Sequence, residues 1–139
     1  MKRSNPIKYI LDVLMVILFI TFFDKDFINM KFHMRGGILL VVFIIIHMII
    51  NRKWIKSISK RFFNKNLKMK TRISYIVSFL LLISILLILI SGFKIMFAPV
   101  NRKVFWKMIH YTFSYISLGL ITIHIGICWN KIKNMFKKY

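Results

Sequence analysis

The sequence predicts an all-α fold: a four-span transmembrane helix bundle of up-down topology with both termini in the cytoplasm. Three observations predict it. Apolar side chains make up 58% of the 139 residues, above the about 45–50% of soluble domains. The run from Ser74 to Gly92 contains no charged residue; it is too long for a buried strand and about long enough to cross a ~30 Å hydrocarbon core. Finally, four apolar segments follow one another along the chain.

The chain carries 23 Lys and Arg against three acids, Asp12, Asp24 and Asp26, for a formal charge of +20. So basic a balance raises the question of nucleic acid. The apolar runs exclude that reading, and the cations are expected to face lipid headgroups and set topology. The membrane lipid itself is thus a partner and nucleic acid is not. A length of 139 residues suits a single transmembrane domain. One cysteine, Cys128, permits no internal disulfide, and no Cys-x-x-Cys-His motif is present for covalent haem attachment.

The four segments lie near Ile7–Phe23, Phe27–Asn51, Ile73–Phe97 and Val104–Asn130. All are expected to be helices, because backbone in lipid must satisfy its own hydrogen bonds. The first follows Lys2 and Arg3 and has the charge pattern of a signal peptide, but Thr21, Phe22, Phe23 and Asp24 offer no small-residue cleavage site. It is therefore expected to be an uncleaved first span.

Orientation follows from the connecting segments. Lys2, Arg3 and Lys8, nine basic residues between Arg52 and Arg72, and Lys131, Lys133, Lys137 and Lys138 place sixteen cations on one side. Lys25, Lys31, Arg35, Lys94, Arg102, Lys103 and Lys107 leave seven on the other. The positive-inside rule assigns the first side, with both termini and the middle segment, to the cytoplasm. In the middle segment Trp54, Ile55, Ile58, Phe62 and Phe63 fall near helical spacing among lysines. Two readings stand: an amphipathic helix on anionic lipid, or a disordered basic loop that only fixes topology.

The chain has four histidines, and they form two equal intervals. His33 and His47 are fourteen residues apart in the second span; His110 and His124 are fourteen apart in the fourth. Fourteen residues rise about 21 Å along a helix and fall ~40° short of four full turns, so both rings leave one face. Fourteen is also two heptads, which keeps both positions on one seam of a left-handed bundle. The second and fourth spans run in the same direction, from outside to inside. His33 is then level with His110 near the outer surface, and His47 with His124 near the inner one.

Two imidazoles per level suit haem iron, which has four porphyrin nitrogens and takes two axial ligands from the protein. Zinc wants three or four protein ligands, and neither level offers an obvious set, although Cys128 follows His124 by one turn and Asp24 and Asp26 lie in the outer loop. Two non-covalent b-type haems are therefore expected, the outer on His33 and His110 and the inner on His47 and His124. Filling both axial positions favours electron transfer over oxygen binding. Two other readings remain: a haem-free structural subunit anchoring a membrane complex, with the histidines as helix–helix contacts, or a protein that handles zinc or copper with the same side chains.

Lesser features fit around the histidines. Gly36, Gly37, Ser114 and Ser117 give small side chains near them, as a macrocycle or simple helix packing would need. Arg35 and Arg102 lie near the outer rim, where they suit haem propionates or topology equally well. Asp12 stands one turn after Lys8 and is expected to form a local ion pair with it. Trp54, Trp106 and Trp129 sit near membrane interfaces, and Cys128 is expected to be an apolar filler.

The stretch from His33, H-M-R-G-G-I-L-L-V-V-F-I-I-I-H-M-I-I-N-R-K-W, resembles the haem-bearing helices of small bacterial membrane cytochromes. The stretch from His110, H-Y-T-F-S-Y-I-S-L-G-L-I-T-I-H-I-G-I-C-W, looks like a second copy, and Ser91-Gly92 at the end of the third span adds to the likeness. The chain resembles the flavinylation-associated cytochrome family over nearly its whole length. That resemblance implies a four-helix protein that passes electrons across the membrane to an extracytoplasmic flavin-bearing partner, with His33, His47, His110 and His124 as axial ligands. The same histidine logic occurs in the cytochrome b of quinol-oxidising complexes and in ferric reductases. This sequence has no Pro-Glu-Trp motif of the former and no flavin or nicotinamide domain of the latter. Electrons are thus expected to come from a partner, with a quinone or another cytoplasmic-side donor both open.

Overall fold

Pro99 cannot donate a backbone hydrogen bond, and it disfavours helix at the residue before it. Here it ends one helix and starts the next: Ala98 closes the first by donating to Lys94 O at 2.8 Å, and Arg102 N donates to Pro99 O at 2.9 Å. Asn29 starts another helix, its side chain accepting from Lys31 N at 3.1 Å, which satisfies a donor that the first turn leaves open. These punctuation marks divide the computed structural model into α1 (Pro6–Thr21), α2 (Met30–Arg61), α3 (Met69–Phe97) and α4 (Val100–Phe136). The structure describes residues 6–21, 23 and 29–136. Lys2, Arg3, Asp24, Lys25, Asp26, Lys137 and Lys138 lie outside the described residues, as do the roles expected for them. All regular structure among the described residues is helical.

Three of the helices are long and apolar enough to cross a membrane: Met30–Arg61, Met69–Phe97 and Val100–Asn130. The side chains are arranged to match. Among the described residues the buried hydrophobic side chains are Leu11, Phe19, Ile58 and Val77, while Ser74, Ser84, Ser91 and Ser117 are buried too. Large apolar residues line the outside, including Ile38 and Ile49 on α2, Phe79 and Ile90 on α3, and Tyr115 and Ile123 on α4. Small polar residues inside and large apolar ones outside reverse the order of a soluble domain. That order suits lipid, where close helix approach replaces the hydrophobic drive.

The basic middle segment is helical. Instead of stopping at Asn51, α2 continues through Trp54, Ile55 and the buried Ile58 to Arg61. Its 32 residues rise about 48 Å, well beyond a ~30 Å core. The disordered-loop reading is thereby overturned, and the connection shrinks to residues 62–68. There Asn64 accepts from Asn66 N on its side chain and from Leu67 N on its carbonyl, both at 3.0 Å. The fourth helix likewise starts at Val100 rather than Val104 and runs past Asn130.

The chain groups into two compact units, residues 1–63 with 131–139, and residues 64–130. In the first, α1 packs on α2, burying Leu11 and Phe19 from one stripe of α1. In the second, α3 buries Val77, Ser84 and Ser91 at seven-residue intervals, the repeat of a left-handed helix seam. Its serine hydroxyls donate to carbonyls about one turn back: Ser78 to Ser74 at 2.7 Å, Ser84 to Leu80 at 2.9 Å and Ser91 to Ile88 at 2.9 Å. A hydroxyl whose proton is used locally costs little to bury. At the other end of this unit Lys94 Nζ lies 6.0 Å from the Trp106 ring centroid, a cation–π contact between α3 and α4.

Candidate cofactor-ligating histidines

All four histidines are half-buried on helices, His33 and His47 on α2 and His110 and His124 on α4. The contacts that orient them lie within each unit. His33 sits in the first turn of α2, where its backbone N–H donates to Asn29 O at 3.0 Å.

His47 is held from both sides. Its Nδ1 lies 2.6 Å from Asp12 Oδ1 on α1. This corrects the pairing expected from sequence: among the described residues the carboxylate of Asp12 meets His47, not Lys8. A lysine on a long apolar stem can carry its ammonium to the interface, whereas a carboxylate within an apolar helix must find a donor near its own depth. On the other side of the ring, Nε2 lies 3.2 Å from Asn51 Nδ2, which also donates to His47 O at 2.9 Å. An amide nitrogen is only a donor, so Nε2 is an acceptor and Nδ1 carries the proton.

His110 reaches the same tautomer by a different route. Its Nδ1 lies 3.0 Å from Ile88 O and 3.1 Å from Ser91 Oγ. A carbonyl oxygen can only accept, so Nδ1 must donate. Ser91 is fully buried, and its own proton already goes to Ile88 O. Gly92 lies beside the imidazole: a Cβ there would meet His110 Cε1 at 3.5 Å, ordinary van der Waals contact.

His124 repeats the pattern more weakly. Nδ1 lies 3.3 Å from Ser78 Oγ, whose proton is given to Ser74 O. The serine oxygen is therefore the acceptor and the ring Nδ1 again the donor. Ser78 and Ser91 are thirteen residues apart on α3 and meet histidines fourteen apart on α4 in reverse order, as antiparallel helices require. Midway between these histidines stands Ser117, fully buried, its hydroxyl without a hydrogen-bond partner among the described residues.

Three histidines thus share one chemistry. Nδ1–H is committed to a carboxylate, a carbonyl or a hydroxyl, which fixes the ring and puts the lone pair on Nε2. That is the arrangement of metal-ligating histidines, whose second nitrogen bonds an outer acceptor. Among the described residues no group of three or more His, Cys, Asp and Glu side chains comes together. Zinc sites take three or four protein ligands and haem iron two. Arg35 and Arg102 are exposed, and Cys128 is half-buried.

Sequence reasoning missed Asp12, Asn51, Ser78 and the Ile88 carbonyl as partners of these rings. A usable signal existed for Ser78 and Ser91, whose interval on α3 mirrors that of the histidines. No family model, curated protein or solved structure matches the chain.

Proposed function

We propose that the chain is a transmembrane electron conduit that holds two b-type haems, each between one histidine of α2 and one of α4. His33 and His110 serve the outer haem and His47 and His124 the inner. The observation that carries this reading is the shared Nδ1-donor tautomer of His47, His110 and His124, which leaves Nε2 as the ligating atom. When bound, the haems would supply one-electron chemistry; the chain supplies their ligands, the acceptors that orient those ligands and an apolar surround. For His47 to serve as a ligand, its Nε2 would have to give up the hydrogen bond it now accepts from Asn51.

The pairing by depth rests on α2, α3 and α4 being successive spans, which makes α2 and α4 parallel in the membrane. It does not require α1 to cross. We take α1 as the fourth span, with both termini inside: its 16 residues rise about 24 Å, most of a ~30 Å core. The cations between Arg52 and Arg72 put the His47 end at the cytoplasmic face. On this reading the chain resembles a flavinylation-associated cytochrome and delivers electrons to an extracytoplasmic flavin-bearing partner. A quinone or other donor on the inner side loads it.

The test is a reduced-minus-oxidised spectrum of purified protein with a haem assay. Two b-type haems per chain are expected. Protein that binds none after expression with ample haem would sink the proposal.

A further inference from the structure

Of the three rings whose acceptors are described above, one faces a charge. His47 Nδ1 faces a carboxylate at 2.6 Å, whereas His110 faces a carbonyl and a hydroxyl at 3.0 and 3.1 Å and His124 a hydroxyl at 3.3 Å. The first contact lies at the short end of the hydrogen-bond range and is charge-assisted. The others are neutral. Asp12 is also the one acidic residue within the four helices, so the asymmetry rests on a single side chain.

We propose that Asp12 is a positioning residue that lowers the midpoint potential of the haem bound by His47, making the cytoplasmic-side haem the lower of the two. This rests on the reading that His47 is an axial ligand. A ligand whose Nδ1–H is shared with a carboxylate donates more strongly through Nε2. The nearby negative charge favours ferric over ferrous iron, and outer hydrogen bonding is one of the protein's main levers on haem potential. Lys8, one turn before Asp12, and Arg52, five residues after His47, push the other way. Arg52 is exposed and acts across a screened medium, whereas Asp12 acts through the ligand's own proton. The consequence is direction. One electron passed from a haem on His47 to one on His110 would oxidise the first and reduce the second, with no proton or other reactant, and the carboxylate of Asp12 behind His47 would make that exchange downhill.

The experiment is a spectroelectrochemical titration of the full-length protein and of Asp12→Asn, with haem content measured first. Wild type is expected to titrate as two components. Asp12→Asn is expected to keep two haems and to shift the lower component upward while the upper one stays. Two haems with neither component moved, or with only the upper one moved, would overturn the proposal and leave the haem reading standing. Wild type without haem would overturn both. Should Asp12→Asn lose a haem, Asp12→Glu is read in its place. It keeps a carboxylate and should keep the lower component low, and an upward shift in that variant would overturn the proposal. Ser78→Ala, which removes a neutral acceptor from His124, should move the lower component less than Asp12→Asn; an equal shift would overturn the assignment to charge.

Discussion

The two pairs of histidines have the same spacing and are supported differently. On α2, His47 is fixed by a carboxylate from α1 and an amide one turn along its own helix. On α4, His110 and His124 are fixed by hydroxyls and a carbonyl of α3. The ring tautomer is common to His47, His110 and His124, and the charge behind it is not. Ring placement and ring hydrogen bonding are thus set by different parts of the chain. A fourteen-residue interval places the rings, and the neighbouring side chains and carbonyls decide what His47, His110 and His124 bond to.

The largest effect that can break this comparison is removal of the rings. His47→Leu and His110→Leu should each lower haem content from two per chain to one, with the remaining haem unaltered in potential. A single substitution that removed both haems, or neither, would show that the histidines do not work as two separate levels. Smaller is the effect on stability of the acceptors. Asp12→Ala deletes a charge-assisted hydrogen bond from a site about a third exposed, and should cost about 1–2 kcal/mol. Ser91→Ala deletes a neutral one and should cost about 0.5–1 kcal/mol, in line with cross-helix hydrogen bonds in membranes. Reversible unfolding in mixed micelles would rank the two, and an equal cost would remove the distinction between a charged and a neutral support. The smallest effect is at Ser117. Its buried hydroxyl has no partner among the described residues, so Ser117→Ala should leave stability unchanged or raise it by up to about 1 kcal/mol. A clear loss of stability would mean that this hydroxyl is engaged when the protein is in the membrane.

Much of the fold was legible in the sequence because lipid is a severe solvent. A bilayer admits helices or closed barrels, and the uncharged run Ser74–Gly92, too long for a single strand, suited only a helix before any packing was considered. Helix ends were less legible. The stop read at Asn51 was a change in composition, from apolar to basic, and a backbone helix does not end where its side chains become charged. Trp54, Ile55 and Ile58 kept the apolar stripe going, and α2 followed it to Arg61.

At the site, the four histidines and their register came from counting, since a helix converts sequence interval directly into height and angle. The partners of the rings did not. Asp12 lies four residues from Lys8 but thirty-five from His47, and local spacing favoured the nearer cation. Only the packing of α1 on α2 decided otherwise, because a short carboxylate takes the donor that the neighbouring helix brings to its level. The sequence by itself therefore determined helical class, membrane-compatible length and the repeated histidine interval, all properties of single helices. The tertiary structure decided which ring nitrogen of His47, His110 and His124 donates and which of these rings faces a carboxylate, because those depend on what the adjacent helix presents.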